Sequence, residues 1–337
     1  MATHIRNRPD AVPAVPAVPA VPSVLVLGGS GFVGRHTVAA LLASCSGCRV
    51  IVGSRHPDRI DHRLPAAALG GERRRTRFED LLTAEAWRES LEGIDVAINC
   101  VGILRQRGRE TYDRIHHRAP AALAAACRER GIRLIHVSAL GLNASVRSRF
   151  LRSKRDGETA LRRSDADWLI IRPSLLDGEG GYGARWLRRI AGWPVHPLPA
   201  DAGGKIAALD VRDLGEALAR LALRDPRVAE EQSSREIDLG GLAPCTLAEH
   251  LAALRRLHGA GSAWLLPIPG WLARIGSHGC DLLHLTPFSF GHWELLRHDN
   301  CPVCNRLPEL LGRAPRRVGA DSASAGLART RPIASAG

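Results

Sequence analysis

The 337-residue sequence has few of the side chains on which many enzyme sites depend. It contains two tyrosines, Tyr112 and Tyr182, and two lysines, Lys154 and Lys205. Chemistry that needs a phenol or an amine therefore has few candidates. Aromatic residues make up 4% of the chain, which leaves no platform of stacked rings for single-stranded nucleic acid.

Acidic residues are in the minority: the chain has 34 acidic and 47 basic residues, and its formal net charge is +13. The basic residues are mostly arginines, and they are scattered through almost every segment instead of forming one stripe. We therefore do not expect nucleic-acid binding. The positive charge favours contact with an anionic membrane surface over binding to nucleic acid.

Long hydrophobic runs are absent beyond the N-terminus. Residues 11–34 carry no charge, but prolines at every third position from Pro13 to Pro22 exclude a regular helix in the first half. The Ala-Val-Pro repeat predicts an extended, disordered leader over residues 1–22. With no other segment able to span a bilayer, we expect a cytoplasmic protein, with peripheral membrane contact as an open alternative.

Eight cysteines are too few for a disulfide-dense fold. Two pairs have the spacing of metal ligands, Cys45 with Cys48 and Cys301 with Cys304. Nothing local brings the two pairs together, so free thiols in a reducing compartment and no metal site are expected.

The most informative segment is an apolar strand, Val-Leu-Val-Leu at 24–27, that runs into a glycine turn and a helix to about Ser44. Gly28 permits the tight exit from the strand, Gly31 lets the backbone approach a pyrophosphate, and Gly34 allows close packing of helix and strand. The first N–H groups of the helix point at the anion. This pattern predicts a dinucleotide site with contacts from Gly28, Ser30, Gly31, Phe32, Val33 and Gly34.

Strand and helix patterns then alternate at the spacing of parallel βαβ units. Strands are predicted at 49–53, 76–78, 95–101, 133–138 and 168–171, the clearest helices at 119–130 and 154–163, and an amphipathic helix at 210–223. The fold class is α/β, a Rossmann-type doubly wound parallel sheet with a smaller C-terminal lobe. We divide the chain into the leader 1–22, the nucleotide-binding domain 23–175, an interleaved C-terminal lobe 176–311 and a disordered tail 312–337.

The end of the second strand faces the adenosine ribose in such a fold. Ser54 and Arg55 stand there instead of a carboxylate, which favours NADP(H) over NAD(H), although a solvated loop arginine is the alternative. Asp80 and Leu81 are expected to flank the adenine. The segment Cys100, Val101 and Gly102 is expected beneath the nicotinamide-side ribose and phosphates.

The chain resembles the extended and atypical short-chain dehydrogenases/reductases, including NAD-dependent epimerase-like and NmrA-like proteins, over residues 23–260. The resemblance is carried by the glycine turn, Asp80-Leu81, Asn99-Cys100-Val101-Gly102, His136-Val137-Ser138-Ala139 and Arg172-Pro173-Ser174. The segments at 101–104, 138–141 and 152–158 are most similar to the NAD(P)H-binding accessory subunit of respiratory complex I and its bacterial relatives. The resemblance implies catalytic and cofactor roles for Ser138 and Lys154, and a cofactor contact from Pro173.

The tyrosine that the family uses for proton transfer is replaced by Phe150. A phenyl ring cannot donate or accept a proton, so two interpretations stay open. The chain is a cofactor-holding subunit, sensor or assembly factor without the usual catalysis, which we favour, or it is an active oxidoreductase or epimerase. The second needs another proton donor, such as Tyr182, His136 or a water; Tyr112 is expected to pack at the start of a helix.

Two tryptophans, Trp264 and Trp271, stand among prolines and aliphatic residues in the C-terminal part. Such a segment can mark contact with a protein partner or a membrane surface. It can also cover a substrate cleft, which is the favoured interpretation. The sequence leaves the small-molecule substrate open, between a polar and an isoprenoid-like compound.

Overall fold

The computed structural model describes residues 21–58, 64–69, 71–224, 234–283 and 288–318. In these ranges the strands are β1 (Ser23–Leu27), β2 (Arg49–Ser54), β3 (Arg73–Arg75), β4 (Val96–Asn99), β5 (Arg133–Val137), β6 (Trp168–Pro173), β7 (Leu176–Asp177), β8 (Val195–Pro199), β9 (Lys205–Ile206), β10 (Leu209–Asp210), β11 (Glu236–Leu239), β12 (Cys245–Thr246) and β13 (Trp264–Ile268). The α-helices are α1 (Phe32–Ser44), α2 (Ala66–Leu69), α3 (Ala119–Arg130), α4 (Arg149–Arg162), α5 (Tyr182–Ala191), α6 (Val211–Leu223), α7 (Leu247–Leu257), α8 (Gly270–Leu283), α9 (Phe290–Leu296) and α10 (Leu307–Leu311). A π-helical segment, Asp113–Arg118, leads directly into α3.

Seven parallel strands form the central sheet in the order β11-β6-β5-β4-β1-β2-β3. The order reverses between β1 and β4, which is where a doubly wound sheet opens a crevice for its ligand. The predicted fold class is therefore confirmed.

The strand β1 is buried on both faces, as its uninterrupted apolar sequence predicts. Val24 and Val26 pack into the core cluster that contains Val38 of α1 and Leu218 of α6. Leu25 and Leu27, which point the other way, belong to a second cluster with residues of α3. Two helical layers thus cover the sheet and hold the glycine turn at its edge.

Local patterns placed several helices correctly. The predicted helices at 32–44 and 119–130 match α1 and α3, and the helix predicted at 210–223 matches α6 except that Asp210 is its N-cap. Helix α3 ends at Gly131, whose φ of +64° belongs to the left-handed region. Helix α4 starts earlier than predicted because the Ser148 hydroxyl accepts a hydrogen bond from Leu151 N and caps it.

The predicted strand at 76–78 was wrong, because β3 consists of the three arginines before it. This strand lies at the edge of the sheet, where its backbone pairs with β2 and its side chains stay partly or fully exposed. An edge strand needs no apolar side chains, so the apolar pattern that predicts buried strands does not reveal β3.

The C-terminal half of the chain contributes to both parts of the molecule. Strand β11 completes the central sheet beside β6, and α6 packs on α1. The strand pairs β8–β13 and β9–β12, with α5 and α7, surround a separate apolar cluster that includes Ile190, Leu251 and Leu254. Residues 312–318, which the sequence assigns to a disordered tail, are instead held on α6 by Arg313 and Arg316, both bonded to the buried Asp213.

The prediction that all cysteines are free thiols was wrong for one pair, because Cys45 and Cys48 form a disulfide just after α1. Cys301 and Cys304 are free. Within the described ranges, no group of three or more His, Cys, Asp or Glu side chains is arranged to hold a metal ion. No helix in these ranges has the length and apolar character that crossing a membrane requires. The leader at 1–20 and the tail at 319–337 lie outside the described residues.

Candidate functional site

The glycine turn is built so that backbone, and no side chain, faces the crevice at the start of α1. Gly28 has a φ of +71°, and a Cβ on Gly34 would lie 2.2 Å from the carbonyl oxygen of Gly28. Both positions therefore require glycine. Helix α1 has no side-chain cap and no acidic residue in its first turn. Four other helices are capped by side chains: Ser148, Asp210, Thr246 and Ser289.

The uncapped amides of Phe32, Val33 and Gly34 are suited to a phosphate group. The Phe32 ring lies against the glycine-rich loop before α5, where a Cβ on Gly181 would come within 2.7 Å of it. Ser30 is part of the turn itself and is half-buried. The N-terminus of α1 thus offers an anion site whose outer wall is the loop at 178–181.

The segment after β4 meets the glycine turn, as the sequence predicts. A Cβ on Gly28 would lie 3.0 Å from Val101, and one on Gly102 would lie 3.9 Å from the Lys154 ammonium nitrogen. The lack of a side chain at Gly102 therefore leaves space beside Lys154. Cys100 turns inward toward Thr37, and burial raises the pKa of its thiol to about 12, so it contributes backbone and not thiolate chemistry.

The side of the crevice where the sequence places the adenosine is rich in guanidinium groups. Arg55 is half exposed and forms an ion pair with Glu110. The carboxylate of Asp80 forms two ion pairs, with Arg109 at 2.8 Å and with Arg77 at 3.5 Å. Ser54 follows the same strand end as Arg55, and its hydroxyl accepts a hydrogen bond from His56 N. Leu81 is half-buried against the core and accepts a hydrogen bond from the Trp87 indole through its carbonyl. Sequence reasoning missed Glu110, whose loop is distant along the chain.

Ser138 and Lys154 come together at the carboxyl end of β5, where both line one cavity. Removal from water lowers the pKa of the Lys154 ammonium to about 8, against the opposing effect of the Glu158 carboxylate. The Ser138 hydroxyl is buried, and its side-chain interaction with the Glu158 carboxylate helps to lower the pKa of that group.

Phe150 sits among aromatic rings instead of facing solvent. Its ring centroid lies 5.6 Å from those of Tyr112 and His116, 6.0 Å from that of His292, and 5.9 Å from the Lys154 nitrogen. Tyr112 donates its hydroxyl hydrogen to the Leu104 carbonyl, in agreement with the packing role expected for it. This phenol is therefore already used in a structural hydrogen bond.

Two histidines near the site are held in fixed hydrogen bonds. His116 accepts the Ile103 N–H at Nε2 and contacts the Ser153 hydroxyl through Nδ1, and burial keeps its pKa well below the usual range. His136 contacts the Asn99 amide through Nδ1, and burial lowers its pKa to about 4. His136 does not line the cavity.

Tyr182, the other proton donor considered from the sequence, stands at the start of α5 and is 48% exposed. It does not line the cavity, although the next residue, Gly183, does. The structure therefore brings Ser138, Lys154 and Phe150 together and leaves Tyr182 outside this group.

A buried ionic network supports the strand ends beneath the site. Glu158, which is 1% exposed, accepts hydrogen bonds from Arg162 and Arg172, and Arg172 also bonds Glu236 of β11. These guanidinium groups keep the pKa of Glu158 low despite its burial. Sequence reasoning missed this role, although a carboxylate four residues after Lys154 on one helix face was a usable signal.

The cavity that begins at Ser138 and Lys154 has a volume of about 600 Å³. Its far wall is apolar and comes mostly from the C-terminal lobe: Leu176, Trp186, Leu187, Ile190, Leu198, Leu247, Leu251, Ile268, Leu272, Phe288, Leu295 and Leu296. His292 of α9 also lines it, with Nδ1 2.6 Å from the Ser289 hydroxyl. His292 was missed because nothing in its local sequence connects it to Ser138.

Comparisons with known proteins agree with this geometry. Residues 28–190 match the model of an NAD(P)H-binding family. A ceramide reductase of Caulobacter vibrioides is 32% identical over 193 residues, which cover 56% of this chain and 57% of that protein. NADH dehydrogenase (ubiquinone) 1 alpha subcomplex subunit 9 of Mus musculus is 31% identical over 157 residues, covering 45% of this chain and 40% of that protein. The chain thus spans about half the length of these curated relatives.

Among solved structures, an NADPH-dependent quinone oxidoreductase of Escherichia coli in complex with NADPH shares the fold. Its TM-score is 0.65 at 16% identity, and the alignment covers 90% of this chain and 99% of that one. At this identity the likeness concerns the fold. The family match shows that residues 28–190, which include the glycine turn, form an NAD(P)H-binding domain.

Proposed function

Because the chain belongs to the atypical, epimerase-like short-chain dehydrogenases/reductases, we propose that it is an NADPH-dependent reductase of a ketone on a long-chain lipid. The observation that carries this proposal is the cavity, which joins a polar end at Ser138 and Lys154 to a long apolar wall. A polar end fixes and activates a carbonyl group, while an apolar wall binds hydrocarbon.

The choice of NADPH over NADH is supported by the adenosine end of the crevice. Arg55 and its neighbours Arg77 and Arg109 offer guanidinium groups where a 2′-phosphate is expected. Arg55 already has a partner in Glu110, so the phosphate would compete with that carboxylate. Phosphate offers more charge and more acceptor oxygens than a carboxylate, which favours the exchange.

The residues present fit a nicotinamide dinucleotide. The uncapped amides at the start of α1 would hold the pyrophosphate, and the side-chain-free Gly102 leaves space beside Lys154. When bound, NADPH supplies the hydride that reduces the carbonyl carbon. Ser138 donates a hydrogen bond to the carbonyl oxygen and orients it, in exchange for its interaction with the Glu158 carboxylate.

Phe150 has no hydroxyl group to transfer a proton, and Lys154 carries out this step instead. With a pKa of about 8, roughly nine in ten amines carry the proton at pH 7, and the group is still acidic enough to release it. The proton passes from the ammonium nitrogen to the carbonyl oxygen, which becomes the alcohol oxygen. The neutral amine then recovers a proton from solvent.

His292 also lines the cavity, but its charge state makes it a weaker acid catalyst. Removal from water and the nearby Arg105 lower its pKa to about 4, so only about one ring in a thousand is protonated at pH 7. Lys154 is therefore the better donor, and the neutral His292 ring is left to contact the ligand.

The class of substrate is supported by the cavity lining and by one relative. Besides Ser138, Lys154 and His292, few polar groups reach the cavity, so a polar sugar would leave most of its hydroxyls without partners. The name of the Caulobacter relative, ceramide reductase, points to a ketone derived from a long-chain amide lipid.

The test follows NADPH fluorescence while the purified protein is given a long-chain keto lipid or a short-chain ketone with the same head. The proposal expects turnover with the long-chain compound and a KM at least about a hundredfold higher for the short-chain one, since each buried methylene contributes about 0.8 kcal/mol. Equal KM values for both compounds would exclude the apolar wall as the lipid site.

Phe150 supports a second candidate, a cofactor-holding subunit or sensor without turnover. The ring packs with Tyr112, His116 and His292 as a structural residue does. On this account, NADPH binds tightly, no ketone is reduced, and Phe150→Tyr gains no activity. The same fluorescence experiment separates the two candidates.

A further inference from the structure

A large apolar surface lies outside the site, on strand β13 and the outer side of helix α8. Trp264 is 81% exposed, Trp271 67% and Ile275 61%. Strand β13 pairs in register with β8, which adds Val195 opposite Trp264. We call this surface the apolar face; its members are Trp193, Val195, Trp264, Leu265, Leu266, Trp271 and Ile275.

The apolar face adjoins the opening of the lipid cavity. Leu272 and Gly276 of α8 are exposed at the surface and also line the cavity, so the cavity opens along this helix. Trp271 and Ile275 are their immediate neighbours in the chain, one helical turn apart. A molecule that covers the apolar face would therefore meet the cavity mouth.

The charge around the apolar face is mostly positive, although the Asp201 carboxylate lies beside Gly270, the residue before Trp271. Residues 180–200 and 250–280, which supply the face, contain no Asp or Glu. The same two segments contain six arginines, of which Arg185, Arg189, Arg256 and Arg274 are exposed. Exposed tryptophan and aliphatic side chains with surrounding arginines match the surface of an anionic bilayer, with its apolar interior and negative head groups.

We propose that the apolar face docks on an anionic lipid bilayer, with the cavity mouth turned toward the membrane. Trp264 and Trp271 insert at the level of the head groups, and the arginines contact anionic lipids. The docking does not depend on turnover. That the cavity draws its ligand directly from the bilayer rests on the proposed function.

The test measures binding to vesicles in the absence of cofactor and ketone. Full-length protein is sedimented with vesicles of phosphatidylcholine alone or mixed with phosphatidylglycerol. We expect binding that rises with phosphatidylglycerol and falls with salt. The double change Trp264→Ser and Trp271→Ser is expected to lower the partition coefficient at least about tenfold, and Arg256→Gln or Arg274→Gln about fivefold each.

Matched controls use exposed residues outside the apolar face. Leu242, 49% exposed, is changed to Ser, and Arg128, paired with Asp165, is changed to Gln. Both controls are expected to bind vesicles as the wild type does, and every variant must retain NADPH binding. The proposal is overturned if the wild type ignores anionic vesicles, if the tryptophan variant still binds, or if these tryptophans instead hold a dimer in solution. Failure of reduction in free solution, with vesicle binding intact, would count against the proposed function alone.

Discussion

At the scale of single residues, the site is defined by one replacement and its surroundings. Phe150 removes the phenol, while Ser138 and Lys154 keep their positions at the cavity. In the proposed reaction, the pKa of Lys154 near 8 allows this residue to donate the proton that a tyrosine would otherwise supply.

The pH dependence of turnover tests this role of Lys154. The reduction needs the protonated amine, so kcat/KM is expected to be constant below pH 7 and to fall about tenfold per pH unit well above pH 8. Lys154→Met should reduce kcat by about 10²–10⁴-fold and abolish this pH dependence. A profile that stays flat to pH 10 in the wild type would contradict proton donation by Lys154. Fluorescence titration with NADPH separates this effect from weaker cofactor binding.

The proposed preference for NADPH also rests on single residues. Arg55→Ala should weaken NADPH binding about tenfold and leave NADH binding unchanged, because the two cofactors differ only in the 2′-phosphate. Glu110→Gln should tighten NADPH binding, since it removes the carboxylate that competes for Arg55. Arg88→Ala, at an exposed arginine paired with Glu85, is the control. Fluorescence titrations with both cofactors measure the effects, and an unchanged ratio in Arg55→Ala would refute the assignment.

At the scale of elements, the glycine turn and α1 act as one rigid unit. The close approach of Gly34 to Gly28 fixes the helix N-terminus against the strand end, so its amides point into the crevice. This unit was predictable from sequence because all of its contacts are local. Strand β3 was not predictable from sequence, because its pairing with β2 uses backbone groups, which every residue carries.

The packing of this unit is tested with an added methyl group. Gly34→Ala would place a Cβ 2.2 Å from a backbone oxygen, so the turn must shift, and we expect dinucleotide affinity to fall at least about tenfold. Gly279→Ala in α8 is the matched control, because a Cβ there would meet nothing within 4 Å. Titration and circular dichroism of both variants separate loss of binding from loss of fold. Wild-type affinity in Gly34→Ala would contradict the role of the turn.

At the scale of the whole molecule, the two halves of the chain are interleaved. The N-terminal half supplies the cofactor crevice with Ser138 and Lys154, while the C-terminal half supplies β11 of the sheet and most of the apolar cavity wall. The repeated strand and helix patterns predicted the first part. The cavity and the place of His292 in it depend on contacts between distant segments, which single-sequence patterns do not report, whereas Trp264 and Trp271 of the apolar face are evident from their local sequence.

This interleaving connects the three proposed functions of the molecule. The dinucleotide site lies at the edge of the sheet, the proposed ketone site lies where Ser138 and Lys154 meet the lobe, and the lobe carries the apolar face. A lipid in the cavity would thus extend from the membrane side of the lobe to the reacting end of the crevice.

The transfer of hydrogen from the cofactor to a lipid tests the central claim most directly. The purified protein is incubated with NADPH deuterated on the transferable position of nicotinamide C4 and with a long-chain keto lipid, and the lipid is then examined by mass spectrometry. We expect one deuterium on the carbon that bears the new hydroxyl, and at least about a hundredfold less product with Lys154→Met. Tight binding of NADPH with no deuterium in the lipid would contradict the reductase and favour a cofactor-holding role.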